Sequence, residues 1–341
     1  MRHVTPTSYS MPWPLAVAMI AAAVLSLPSR AMADEPTQAT WQITPGTRLA
    51  LTTAAEGSRL FAVADSFVEK LSRFDLQSRL KSAQPVTRNA YLAFVAQQTR
   101  SFTYAETTTL QTAASDLKKQ LSDFDLPLPS VVHIIKTTGA EEAGAAYCRG
   151  NCVCLPHNML DGSAEETQQL LIHELFHILS SHAPELRRKL YAIIGFTPIP
   201  PLEIPPDLAP RIITNPDGHR YDYCIHIAHD GQRLPFVPIL IAKRDYDADT
   251  GDSFFPYMQF RLLAIQIEEK RSVAISTSDK LSSILIDPDR TPDFFEQIGR
   301  NTSYVIHPDE ILADNFVHLV NKKDNLPNPE IVEKMRELLR K

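Results

Sequence analysis

The chain has 341 residues, with 34 Lys and Arg against 40 Asp and Glu for a net charge of −6, and 44% of its residues are hydrophobic. That composition supports a folded protein with a substantial core and excludes a disordered or fibrous chain. The negative balance offers no general attraction to phosphate backbones, which argues against nucleic acid as a partner.

Residues 1–33 read as an export signal. Arg2 and His3 precede an apolar run from Leu15 to Leu27, and Ala31-Met32-Ala33 forms a small-x-small cleavage site before Asp34. The run is too short to span a bilayer and is bracketed by Pro12, Pro14 and Pro28, so a periplasmic or secreted protein without integral membrane association after cleavage is expected. Cys148, Cys152, Cys154 and Cys224 all follow the cut, where an oxidising compartment favours disulfide staples over a four-cysteine zinc site. Cys152 and Cys154, two apart in a strand, would share a face and not bond to each other.

The fold expected is α+β. A helical region covers residues 34–125, with helical spacing in Leu60, Phe61, Val63, Phe67, Val68 and Leu71 and in stretches from Asn89 and Thr107. Pro127 and Pro129 then open a mixed catalytic region, residues 126–341. Strands are expected at Val131 to Ile135 and Cys152 to Leu155, and a β-rich insertion at 221–278. Asp245 to Gly251 mimics a calcium loop, yet Thr250 and Pro256 occupy the positions that need glycine and glutamate, so a hairpin turn is the better reading.

The segment Leu170 to Leu179 contains His173-Glu174-x-x-His177. Ser163 and Glu166 form a capping box ahead of it, and no Pro or Gly interrupts Ala164 to Ser181, so the spacing is helical. One turn apart, both imidazoles can converge on one metal while Glu174 approaches a water activated by it. A third ligand is available downstream, where Pro308 suits the first position of a helix and places Glu310 in its first turn and Asp314 one turn later on the same face. His182 is a competing third ligand.

His173-Glu174-x-x-His177 followed by Glu310-x-x-x-Asp314 resembles the gluzincin, or thermolysin-like, zinc metallopeptidases. The resemblance implies a zincin-like core with the active-site helix beside a small sheet. It makes His173, His177 and Glu310 the zinc ligands, Glu174 the general base, and Asp314 the partner that orients His173. It covers two short helices only. The chain departs from the family pattern in the long separation of Glu310 from His177 and in lacking an Asn-Glu-x-x-Ser-Asp form.

The implied activity is hydrolysis of a peptide or protein substrate, with a catalytically inactive zinc-bearing envelope binding protein as the alternative. A strand within Lys136 to Gly139 or Ala145 to Cys152 could pair with an extended substrate. Candidate transition-state stabilisers are Tyr223, His226, His229, Tyr257, Tyr304 and His307, and residues 34–125 could be either a prosegment or an integral lobe.

Overall fold

The structure, a computed structural model, describes residues 39–276 and 283–341. The segment read as an export signal lies outside the described residues. Strands β1 (Thr40–Thr44) and β2 (Thr47–Leu51) form a hairpin, and helices α1 (Ala54–Phe61), α2 (Ser66–Lys70), α3 (Arg73–Leu80) and α4 (Arg88–Ala96) follow. After the short strand β3 (Thr99–Arg100) comes α5 (Tyr104–Gln120), then β4 (Val131–Thr137), β5 (Tyr147–Arg149) and β6 (Cys152–Pro156). The first sheet runs β1-β2-β4-β6-β5, with β3 also on β4. β2 and β6 flank β4 in parallel, and β5 is an edge strand antiparallel to β6.

Side-chain alternation assigns each face of this sheet. Leu49, Leu51, Val132, Ile134, Val153 and Leu155 join α5 and the next helix, α6 (Ala164–His182), in the main core. Ile135, Tyr147, Cys152 and Cys154 face a second cluster built from Phe61, Phe67, Val68, Tyr91 and Val95 of the helices on the opposite side. The region before Pro127 is therefore helical over much of its length but begins as two strands, a correction to the helical reading of residues 34–125. The sequence carries the reason: Trp41, Ile43, Leu49 and Leu51 alternate about a Pro45-Gly46 turn. Because β2 pairs with β4 and α5 packs on α6, this region is an integral layer.

Helix α7 (Pro184–Ile193) leads into a second sheet, with β7 (Phe196–Pro198), β8 (Leu202–Glu203), β9 (Tyr223–His229), β10 (Gln232–Ala242), β11 (Met258–Ile267), β12 (Ser272–Ala274) and β13 (Leu285–Ile286). The β-rich block thus reaches beyond 221–278 at both ends. Ile225, Phe236, Leu262 and Ala264 point into the main core, while Val237, Ile239, Leu263 and Ile265 form a separate cluster on the other face. The Asp245 to Gly251 segment lies in the β10–β11 connection, where Asp247 accepts from the Asp249 backbone N–H and Gly251 adopts φ +64°. Helices α8 (Pro292–Ile298), α9 (Pro308–Val320) and α10 (Pro329–Leu339) complete an α+β protein.

All four cysteines are free and buried, which corrects the disulfide expectation. The sheets keep them apart: Cys148 joins the main core, Cys152 and Cys154 the opposite face of the first sheet, and Cys224 the separate cluster of the second. Among the described residues no helix is long and apolar enough to cross a membrane.

Candidate metal centre

Helix α6 starts as its sequence dictates. Ser163 accepts from the Glu166 N–H while Glu166 returns to the Ser163 N–H at 2.8 Å. Its apolar surround buries Leu171, Ile172, Leu175, Phe176 and Ile178, so its polar residues require partners. Helix α9 supplies them. Pro308 sits in its first turn, and His307 caps it by accepting the Asp309 N–H at 3.1 Å through Nδ1.

His173 Nε2 lies 3.2 Å from Glu310 Oε2, and His177 Nε2 lies 3.4 Å from the same oxygen. The other face of each ring meets a carboxylate: His173 Nδ1 is 3.1 Å from Asp314 Oδ1, and His177 Nδ1 is 2.8 Å from Asp309 Oδ2. A carboxylate anion only accepts, so each selects an Nδ1–H tautomer and turns the Nε2 lone pair toward Glu310. Three acceptor atoms then face one another, an arrangement that protons on the imidazoles or a bound cation can satisfy. Metal bonds of about 2.0–2.1 Å in a tetrahedral site place donor atoms roughly 3.3–3.4 Å apart, close to the spacings found. The three side chains thus form a buried cluster able to hold a metal ion.

The electrostatics agree. Burial alone would raise Glu310, but His177 and His173 overcome it and hold the carboxyl well below its usual range. Burial would lower His173, yet its bonds to Asp314 and Glu310 carry it up to about 10; His177 is raised likewise, against burial, by Asp217, Glu310 and Asp309. Without a metal, the site holds its negative charge by keeping protons on the imidazoles.

Several contributors were not legible in the sequence. Asp309, the neighbour of Glu310, also receives the Ser180 hydroxyl at 2.5 Å and the Tyr191 hydroxyl at 2.7 Å on Oδ1, which fixes Oδ2 against His177. Asn215 donates to Glu310 Oε1 at 2.7 Å and leaves Oε2 to the imidazoles. It belongs to a connection preceding β9, where Asn215-Pro216 and Asp217-Gly218 signal a turn but nothing local ties that turn to the centre.

Asp217 Oδ1 accepts the Cys148 N–H of edge strand β5 at 2.8 Å, and Gly218 approaches so closely that a Cβ there would fall 2.6 Å from the His307 ring. The connection is anchored at Thr214, whose N–H and hydroxyl bond to Asp75 and whose carbonyl accepts from Arg79 at 2.9 Å. Arg79 is buried and paired with both Asp75 and Glu142.

Glu174 is buried beside the centre. Burial pushes its carboxyl above the usual range, and the Cys148 thiol donates to Oε2 at 3.2 Å. Burial together with Glu174 and Asp217 raises that thiol, so it remains a protonated donor. Cys148, Glu174 and Asp217 form a second close group. Burial and Glu174 with Glu310 keep the Asp217 carboxyl well above its usual range, in spite of His177.

Of the remaining candidates, Tyr304 stands among the carboxylates: burial, then Glu310, Asp217, Glu174 and Asp314, keep its phenol protonated. His307 is occupied in capping α9, and burial pushes it down to about 4. Tyr223 meets Tyr191 edge-on at 4.6 Å between ring centres, whereas Tyr257 packs with Phe74 and Tyr246 in another cluster. His226 and His229 lie on β9, where the His226 carbonyl accepts from Gln297 and the His229 ring meets Phe236. His182 is exposed at the end of α6 and outside the ligand cluster, because its position is one residue beyond a full turn from His177. Of the two segments considered for substrate pairing, β4 is internal and β5 is at the sheet edge. Comparison with protein-family models, with curated proteins and with solved structures found no match to this chain.

Proposed function

We propose that the chain is an exported zinc-dependent peptidase with a gluzincin-type site on a zincin-like core. The observation that carries this reading is the convergence of two Nε2 atoms and Glu310 Oε2 at tetrahedral spacing, with the buried Glu174 carboxylate alongside. The N₂O donor set suits zinc. Zinc bound by His173, His177 and Glu310 would supply Lewis acidity and lower the pKa of a water at its open position.

The chain's own groups divide the remaining work. Glu174, with its affinity for protons increased by burial, takes a proton from the attacking water and returns it to the leaving amine. The Tyr304 phenol, kept protonated by burial and by the carboxylates of the centre, is a candidate donor to a developing oxyanion. Asp309 and Asp314 hold the two imidazoles in the ligating tautomer, and Asn215 selects the Glu310 oxygen. Edge strand β5 lies beside the site, and an extended peptide would pair with it by displacing Asp217 from the Cys148 N–H.

Metal content and peptide turnover measured together test the reading. Glu174→Gln should retain zinc and lose turnover, and Glu310→Ala should lose both. Undiminished turnover by the first variant, or undiminished zinc in the second, refutes the assignments. One observation favours the alternative of a zinc-bearing binding protein: Asp217 already occupies the Cys148 N–H and lies against Glu174. Stoichiometric zinc with no chelator-sensitive cleavage across a broad peptide library would select it.

A further inference from the structure

A cavity of about 460 Å³ adjoins the metal centre, with His177, Asp217 and Cys148 in its wall. That size suits one or two amino-acid residues better than a single small ion. Arg149, Arg187 and Arg220 line it together with Asp65, Asp217, Asp222 and Asp309, so the wall carries both signs of charge and its bonding pattern decides what it can hold.

The two inner arginines are incompletely bonded. Arg149, whose side chain is 5% exposed, donates Nε to Asp65 at 2.8 Å and Nη2 to the Val63 carbonyl, but its buried Nη1 has no acceptor. Arg187, 11% exposed, reaches Asp222 with Nη2 at 3.2 Å, and its buried Nε also has no acceptor. Arg220 is exposed and forms no ion pair among the described residues. Buried guanidinium N–H groups are rarely left without acceptors, and the planar fork matches a carboxylate better than any neutral group. Arg149 is moreover the last residue of β5, next to Cys148, so a peptide lying along that edge passes the cavity.

We infer that this cavity is a carboxylate subsite, which makes the substrate class peptides with a carboxylate within a residue or two of the scissile bond. The group is either an Asp or Glu side chain or the chain terminus. This deepens the peptidase reading and rests on it for the scissile bond, though not for the binding of the acid.

Binding to the zinc-loaded, full-length Glu174→Gln variant tests it without turnover. Fluorescent peptides are compared in matched pairs, Glu against Gln at each position and free C-terminal acid against amide, so that the pair showing discrimination identifies the source of the carboxylate. The acid member should bind about tenfold tighter or more. Adding Arg187→Met should bring that ratio to within about twofold, with zinc content retained, and Arg187→Lys should restore part of it. Arg149→Met is the companion variant; because Arg149 also tethers Val63 and Asp65, Arg187 carries the test if that variant does not fold.

Equal affinities in every pair, absence of peptide binding, or discrimination that survives Arg187→Met overturns the subsite. Inorganic phosphate that displaces the acid peptide more strongly than acetate does would overturn the carboxylate assignment. Arginine-dependent discrimination in a chain whose wild type cleaves no peptide would refute the peptidase and leave the subsite standing.

Discussion

Replacing Asp309 by Asn changes one atom's chemistry at the centre of the ligand scaffold. Asp309 is buried, and the Ser180 and Tyr191 hydroxyls both donate to Oδ1. An Asn side chain satisfies them only with its carbonyl oxygen there, which places its NH₂ at the Oδ2 position, 2.8 Å from His177 Nδ1. Two donors would then face each other. Relief comes when His177 shifts its proton to Nε2, the atom needed for the metal. Loss of an orienting partner of this kind typically weakens metal binding by about 10–100-fold, or roughly 1.4–2.8 kcal/mol.

Asp314→Asn makes the same inversion at His173, where Thr302 holds the other oxygen. Asp314 is 30% exposed against 4% for Asp309, so water can replace the lost acceptor and the effect should be only severalfold. Zinc affinity measured by competition with a calibrated chelator should therefore fall in the order wild type, Asp314→Asn, Asp309→Asn. Wild-type affinity in Asp309→Asn, or a larger loss in Asp314→Asn, would refute the tautomer argument.

His307 provides a pH test. Its folded pKa of about 4 lies below an unfolded value of about 6.5, so the unfolded chain takes up the proton first as pH falls. The stability associated with neutral His307 is complete above pH 6.5 and is lost down to pH 4, by up to about 3 kcal/mol. His307→Asn keeps a capping acceptor, and its denaturation midpoints should fall less steeply over that window; parallel curves would sink the idea. Deleting residues 1–125 removes the strand paired with β4 and exposes the surface of α6 covered by Leu110, Ala113 and Leu117, so the remainder should be insoluble. A soluble, more active product would instead identify a prosegment. Unfolding in the absence of reductant should release four titratable thiols, and fewer would contradict the placement of the cysteines.

The parts of the site legible in the sequence are those governed within one helix. Ser163, Glu166, His173, Glu174 and His177 obey spacing rules that hold wherever the helix lies, and Pro308, Glu310 and Asp314 do the same. The role of Asp309 depends instead on how α9 crosses α6, because an adjacent residue points about 100° away from Glu310. Asn215 and Asp217 reach the centre through a connection anchored by the buried Arg79 network, where Asp217 meets Cys148 of β5, and no local pattern encodes such a path. The cysteines teach a related lesson. A compartment argument concerns what oxidation permits, whereas pairing requires sulfurs brought together across elements, and here Cys148 and Cys224 lie in separate clusters while Cys152 and Cys154 share one face of a single strand two residues apart.

One turn and a half of α9 carries Glu310 and both carboxylates that steady the imidazoles, so its axial rotation sets three contact directions at once. The packing behind it, where Phe316 meets Phe176 at 5.7 Å between ring centres, then acts as a spacer that calibrates the grip. Trimming that aromatic pair would detune the centre even where the chain still folded, and grafting the centre onto another scaffold would demand the crossing of these two helices before any individual donor.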